Sequence, residues 1–269
     1  MVFSDFHVHT NYDHGRHTPA QMAAEAGRLG MRALGLVGHS RTRIPCHYAM
    51  TEDGEQQFFA ECAALKAQYA GKTDIFCGIE MDYYASPIDL PYDYRIGSVH
   101  YLDCGNGQFL SVDSSAGELS TYARQHGGFL PLVQQYYAAV AQIVSVTDCD
   151  IIAHLDLITK FNESHALFSP EDPAFRRAAL DAVDALLPYD RFFEINTGAI
   201  SRGFRTTPYP APFLLQHISE HGGRILFSSD AHDAAALLFR FEESAQFARA
   251  CGFTTAWTLT PRGFEEFPL

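Results

Sequence analysis

The sequence predicts an α/β fold, a TIM-like barrel of seven βα units in a single domain. Two observations carry this expectation. Short β-rich runs alternate with longer helical periodicities along the whole chain, the pattern of βα units on a parallel sheet. A length of 269 residues lies near the upper end of the single-domain range, where α/β barrels fall. No internal repeat, linker or low-complexity run divides residues 1–269, so they are read as one domain.

The first strand is expected over residues 4–9 and carries His7-Val8-His9 at its end. Thr18 and Pro19 form the capping signal for a helix over residues 21–29, closed by Gly30. Residues 33–37 make a second strand that delivers His39, and residues 52–70 a helix stopped by Gly71. The third strand, residues 74–79, runs into Glu80; the fourth, residues 94–99, delivers His100. Residues 115–146 read as two helices separated near Gly127-Gly128 and Pro131. A fifth strand over residues 150–153 ends at His154, a helix covers residues 172–187, and a sixth strand over residues 191–195 leads to Asn196. After a helix over residues 212–221, the seventh strand, residues 224–227, reaches Asp230 and His232. A last helix is expected over residues 234–250, and residues 254–259 form one more strand or an edge segment.

Every strand of this series therefore ends in a metal-competent or hydrogen-bonding side chain: His7/His9, His39, Glu80, His100, His154, Glu194/Asn196 and Asp230/His232. Side chains two apart on a strand share a face, so His7 and His9 project toward one point. In a parallel barrel the C-terminal strand ends converge, making neighbours of residues far apart in sequence. One histidine at a strand end is more often a hydrogen-bonded structural residue than a ligand, but seven strands ending alike outweigh that reading. Imidazole and carboxylate without thiolate suit zinc, manganese or iron. The donors exceed what one ion needs, so two to three divalent or trivalent ions are expected, with Glu80 able to bridge a pair. The chemistry implied is hydrolysis at phosphorus or at a carbonyl by a metal-activated hydroxide.

Composition narrows the partners. With 47% hydrophobic and 19% charged residues the chain is an ordinary globular one. A formal net charge of −13 disfavours nucleic acid and anionic membranes, which require a positive field. No stretch approaches the roughly 18 apolar residues of a membrane span, and no secretory segment is read at the N-terminus, so a cytoplasmic location is expected. The six cysteines are scattered without a C-x-x-C pair and read as reduced thiols.

The motifs H-V-H at 7 to 9, G-H at 38 and 39, G-I-E at 78 to 80, G-S-V-H at 97 to 100, A-H-L-D at 153 to 156, E-I-N-T-G at 194 to 198 and S-S-D-A-H at 228 to 232 together resemble the PHP (polymerase and histidinol phosphatase) family. The resemblance covers nearly the whole chain. G-S-V-H-Y-L-D, H-L-D-L-I-T-K-F and E-I-N-T-G followed by Y-P are similar to its histidinol-phosphate phosphatase branch. It implies a distorted (β/α)7 barrel with a trinuclear site. Position by position it implies His7, His9 and Asp230 on a first ion, Glu80 bridging to a second with His100 and His154, and His14, His39 and His232 on a third. Asp13 and His17 compete with His14, and Gly38 stands where the family usually has an acidic residue.

A phosphate monoester needs protein cations, for which a guanidinium fork is well suited. Arg202 and Arg205, in the loop after the sixth strand, are the candidates, with Lys160 behind them. Tyr101 and Asn196 are further substrate-binding candidates, and Arg202, Asp230 and His232 the catalytic ones. Each is weighed against an ordinary role: a solvated loop charge for the cations, a packed ring for Tyr101, a satisfied strand-end hydrogen bond for Asn196. The resemblance implies hydrolysis of L-histidinol phosphate, a small phosphorylated substrate, to L-histidinol and phosphate, as in histidine biosynthesis. The alternatives are another small phosphate ester or nucleotide, an amidohydrolase-type reaction, or a non-catalytic PHP-like binding domain.

Overall fold

The computed structural model describes residues 4–269, so Met1 to Phe3 lie outside the described residues. Strand β1 (Asp5–Val8) is followed by helix α1 (Pro19–Arg28), β2 (Ala33–Leu36), α2 (Glu52–Gln68), β3 (Asp74–Asp82) and β4 (Tyr94–Ser98). Thr18 caps α1 in a capping box with Gln21, and Thr51 caps α2 by accepting from the Gly54 N–H. A hairpin that the sequence reading left unassigned comes next, β5 (Tyr101–Gly105) and β6 (Gln108–Ser111), antiparallel. Residues 115–146 form three helices rather than two: α3 (Ala116–Gln125), α4 (Phe129–Val140) and α5 (Ile143–Thr147). The first break falls at Gly127-Gly128, whereas Pro131 sits in the first turn of α4, where a missing N–H costs nothing.

Then come β7 (Ile151–Ile152), the short helix α6 (Asn162–His165), α7 (Pro173–Leu186), β8 (Phe192–Asn196), the short α8 (Gly198–Ser201), α9 (Pro212–Glu220) and β9 (Arg224–Ser228). The helix expected from residue 234 begins only at α10 (Phe241–Ala250). Leu238 and Arg240 adopt positive φ, and the Leu238 N–H reaches back to Asp5 Oδ2 at 3.3 Å, which holds the preceding segment out of the helix. Residues 254–259 belong to a second hairpin, β10 (Thr255–Thr260) with β11 (Gly263–Pro268).

Seven parallel strands form one sheet in the order β1-β2-β3-β4-β7-β8-β9. The sheet nearly closes on itself: Val8 bridges Ala231 in parallel, with His9 N–H donating to Ala231 O at 2.9 Å and Ala231 N–H to His7 O at 3.2 Å. The seven-unit barrel expected from the strand–helix alternation is thus the observed architecture. Its interior is filled by Phe6, Phe76, Tyr94, Ile96, Phe192 and Leu226. Tyr94 crosses it and donates from its hydroxyl to Phe6 O at 2.7 Å. Gly35 and Gly78 leave room for that ring, since a Cβ would lie 2.2 Å from Tyr94 Oη at Gly35 and 2.3 Å from Tyr94 Cζ at Gly78. Across the N-terminal strand ends lies the β10–β11 hairpin, whose Leu259, Trp257 and Phe264 join the interior cluster. Outside the barrel, α1 and α2 cover β1–β3, and α4, α7 and α9 cover the opposite side. What remains open is the C-terminal end of the strands.

Candidate metal centre

At that open end the two histidines of β1 are each fixed by a buried carboxylate. His7 Nδ1 lies 2.6 Å from Glu194 Oε1, and His9 Nδ1 lies 2.6 Å from Asp13 Oδ2. Carboxylates accept, so these Nδ1 atoms carry protons, and each Nε2 is the position open to a cation or to a second proton. The two Nε2 atoms face each other across 3.1 Å. Glu80 Oε2 stands 3.3 Å from both, and Asp230 Oδ1 stands 3.8 Å from His7 Nε2 and 3.5 Å from His9 Nε2. Two ring nitrogens and two carboxylate oxygens converge on one point.

Glu80 turns its other oxygen to a second pair, with Oε1 3.5 Å from His100 Nε2 and 3.3 Å from His154 Nε2. His100 is held by Asp82, whose Oδ2 accepts from the His100 N–H at 3.0 Å. Glu80 is 1% exposed, yet among the described residues neither of its oxygens has a hydrogen-bond partner; its neighbours are ion-pair contacts, the shortest with His39 Nδ1, 3.1 Å from Oε2. A third group is formed by His14 Nε2, which lies 3.0 Å from His39 Nε2 and 2.8 Å from His232 Nε2. His232 Nδ1 faces the Asp230 carbonyl at 2.9 Å, which leaves its Nε2 free to act as an acceptor. Asp230 itself sits at φ +48°, a left-handed position that Asp tolerates better than most residues.

The candidates for the uncertain loop position separate cleanly. Asp13 supports His9 and also accepts from the His39 N–H at 3.1 Å; His17 accepts from the Ala234 N–H at 3.2 Å; only His14 enters the imidazole cluster. At Gly38, the position noted above as departing from the family's usual acidic residue, Met50 packs so closely that a Cβ would stand 2.6 Å from its sulfur.

These donors fit a metal site. Two ligands each about 2.1 Å from one tetrahedral ion stand about 3.4 Å apart, and the distances here run close to that. The electrostatics point the same way. Burial raises the Glu80 carboxyl, but His39, His7 and His100 outweigh it and hold it well below the usual range. Burial disfavours charge on His9 and His100; carboxylates, led by Asp13 for His9 and Glu80 for His100, overcome this and push each up to about 9. Burial, reinforced by His9, pushes His232 down to about 3. A site that holds some imidazoles protonated and others neutral around an orphaned carboxylate is one in which protons occupy places suited to cations.

The PHP domain family model matches residues 5–198, well over half of the chain. The chain belongs to the PHP family. It is 29% identical over 267 residues to the "Probable histidinol-phosphatase" of Deinococcus radiodurans, covering 93% of this chain and 94% of that protein. The histidinol-phosphatase of Bacillus subtilis is 23% identical, with 90% and 98% covered. A histidinol phosphate phosphatase from Lactococcus lactis, solved with zinc, L-histidinol and phosphate, superposes with a TM-score of 0.69 at 20% identity over 98% of this chain and 99% of its own.

Beside the PHP centre opens a cavity of about 230 Å³ bordered by His14, His39, His100, His154 and His232, and by Tyr48, Asp113, Lys160 and Arg202. Lys160 Nζ is held by Asp113 through its carbonyl at 2.9 Å and Oδ2 at 3.1 Å. Arg202 donates to Asp230 O at 2.8 Å and Oδ2 at 2.9 Å, which ties it to the candidate ligand. Arg205 does not reach this cavity. Its guanidinium stacks 4.3 Å over Tyr209 and is engaged by Asp156, Thr159 and Thr207, so its substrate-binding role is withdrawn. Asn196 is fully buried, donating to Glu194 Oε2 and accepting from Gly198 N–H, which makes it a support of Glu194 rather than a substrate contact. Tyr101 is 7% exposed, stacks on Tyr48 at 6.1 Å, and stands behind it. Tyr48, Asp113 and Leu157 are the cavity residues that sequence reasoning missed.

Proposed function

We propose that this PHP protein is a metal-dependent phosphomonoesterase that hydrolyses L-histidinol phosphate to L-histidinol and phosphate. The observation that carries the reading is Glu80, a buried carboxylate with both oxygens unpartnered between two sets of histidine nitrogens. His7, His9 and Asp230 with Glu80 would hold a first ion, Glu80 with His100 and His154 a second, and His14, His39 and His232 a third. Bound ions, two to three of zinc, manganese or iron, would supply the activated nucleophile and neutralise charge on the phosphoryl oxygens.

The chain's own residues do the rest. Lys160 and Arg202 offer positive charge to the ester's phosphate at the cavity wall. Asp230 fixes Arg202 by two hydrogen bonds, and His232, the other catalytic candidate, stands beside it. Asp113, paired with Lys160, puts a carboxylate on the same wall for a cationic leaving group. The Lactococcus relative, with zinc, L-histidinol and phosphate bound, supports the choice of ester. Six free cysteines suit the reducing cytoplasm as its location.

The test is phosphate release from L-histidinol phosphate before and after exhaustive chelation, then after refilling with zinc or manganese. Activity lost and restored is expected, together with weaker turnover of a panel of other phosphomonoesters, nucleotides and amides. Activity that survives chelation would remove the metal mechanism, and a metal-filled protein inert toward this ester would remove the substrate.

A further inference from the structure

Helix α9 ends on the side of the barrel away from the mouth, since it leads through Gly222-Gly223 into the N-terminal end of β9. Its last turn and cap carry another group of metal-competent side chains. One ligand atom from each of His217, Glu220 and His221 lies within 4.8 Å of the other two. The two histidines are spaced i and i+4, and their ring centroids stand 4.1 Å apart. Each ring is fixed through one nitrogen. His217 Nε2 lies 2.6 Å from Asp184 Oδ1 on the neighbouring helix α7, and His221 Nδ1 lies 2.8 Å from His217 O. A carboxylate and a carbonyl only accept, so these two nitrogens carry protons, and His217 Nδ1 and His221 Nε2 are the positions open to a cation or to a second proton. An imidazole whose other N–H is held by a carboxylate or a backbone carbonyl is oriented as metal-bound histidines are. The end of the helix adds to this, because its unpaired carbonyls favour positive charge.

We propose that His217, Glu220 and His221 form a site for one divalent transition-metal ion of the zinc type, separate from the PHP centre, with Asp184 orienting His217. Two imidazoles and a carboxylate suit zinc, nickel or copper and disfavour magnesium and calcium, which prefer oxygen alone. Three protein ligands leave one tetrahedral position to water. Glu220 and His221 are exposed, so the ion has an open path from solvent. The ligands belong to α9 and their support to α7, so an occupied site ties together two of the helices that cover this side of the barrel.

The proposal stands independently of the phosphatase reading and is tested without any substrate. Zinc bound by the full chain is measured by equilibrium dialysis over a range of buffered free zinc, beside a His217→Gln/His221→Gln double variant. The PHP centre is the same in both proteins, so the difference between their binding curves isolates the site. The unaltered chain should hold one zinc more than the double variant, and excess magnesium should leave that zinc in place. Asp184→Asn keeps all three ligands and should raise the free zinc that half-fills the site about 10–100-fold, the usual cost of losing such a support. Should the double variant fail to fold, His221→Ala, at an exposed position, decides by the same difference. Equal zinc content in the unaltered chain and the folded ligand variants, displacement of the additional zinc by magnesium, or a half-filling concentration unmoved by Asp184→Asn would each overturn the proposal.

Discussion

Glu194→Gln isolates the support of the metal centre from its ligands. Glu194 Oε1 accepts from His7 Nδ1 at 2.6 Å and from the Ser228 hydroxyl, and Oε2 accepts from the His154 N–H at 2.7 Å and from Asn196 Nδ2 at 2.9 Å. Four donors meet one carboxylate that is 1% exposed. A glutamine keeps the shape but carries only one acceptor oxygen. Whichever way its amide is turned, the NH2 faces donors, either His7 with Ser228 or His154 with Asn196. At about 1–3 kcal/mol for each of the two buried groups left unsatisfied, the variant should lose about 2–6 kcal/mol of stability. Turning the amide toward His7 also removes the acceptor that holds its proton on Nδ1 and its lone pair on Nε2. Loss of such a support weakens metal binding about 10–100-fold. The assay is a titration of activity against free zinc or manganese in a metal buffer, beside thermal unfolding of the metal-free protein. The half-activating metal concentration should rise by that factor, with turnover largely regained at high metal. An unchanged metal titration would refute the claim that Glu194 orients His7 for a cation.

Three further outcomes follow from the same geometry. Lys160→Ala should raise KM for the phosphate ester about 10–100-fold, the worth of one charge-assisted contact, with less effect on kcat; steady-state kinetics checks this, and an unchanged KM would exclude Lys160 from the phosphate. Gly78→Ala should cost at least about 3 kcal/mol, because the added methyl collides with the Tyr94 ring inside a closed interior; an unshifted denaturant midpoint would show that the interior yields. In the metal-free protein, His9 and His100 are raised from 6.5 to about 9, so their protonation contributes stability fully present below 6.5 and lost as pH rises through 9. Metal-free unfolding temperature should therefore fall between pH 6.5 and 9 while metal affinity rises over the same interval, and a metal affinity independent of pH there would contradict proton displacement.

The strand-end cluster was legible in the sequence because the barrel converts a linear pattern into a spatial one. A polar residue at a strand end is at the open mouth whichever strand carries it, so Glu80, His100 and His154 could be grouped before any distance was known. Loops lack that rule. His14 could not be separated from Asp13 and His17 by spacing, since the segment after β1 has no periodicity; the hydrogen bonds of Asp13 to His9 and of His17 to Ala234 are what release His14 toward His39. Arg202 and Arg205 looked equivalent in the same loop. Gly203, at φ +77°, turns the chain between them and sends Arg205 to Asp156 instead. The β5–β6 hairpin was signalled by Gly105-Asn106-Gly107, a turn that was not read as one. Missing it hid Asp113, two residues beyond β6, and Tyr48 lies in a loop that no motif marks.

The C-terminal hairpin has a consequence for how the molecule must be made. The interior of the barrel is bounded by Phe6 near one end of the chain and by Leu259 and Phe264 near the other, and the sheet is joined by His9 to Ala231. Phe6, Phe76 and Tyr94 can meet within the first four strands, but the side of the interior made by Phe192, Leu226, Leu259 and Phe264 has to wait for later residues. A nascent chain leaving the ribosome therefore carries an open, apolar half-barrel until its last strands emerge, and closure comes as one late, long-range event. Asp230 and His232 cannot join His7, His9 and His14 at the mouth before that event, so the cluster is completed only by late folding, although its first members share the first four strands.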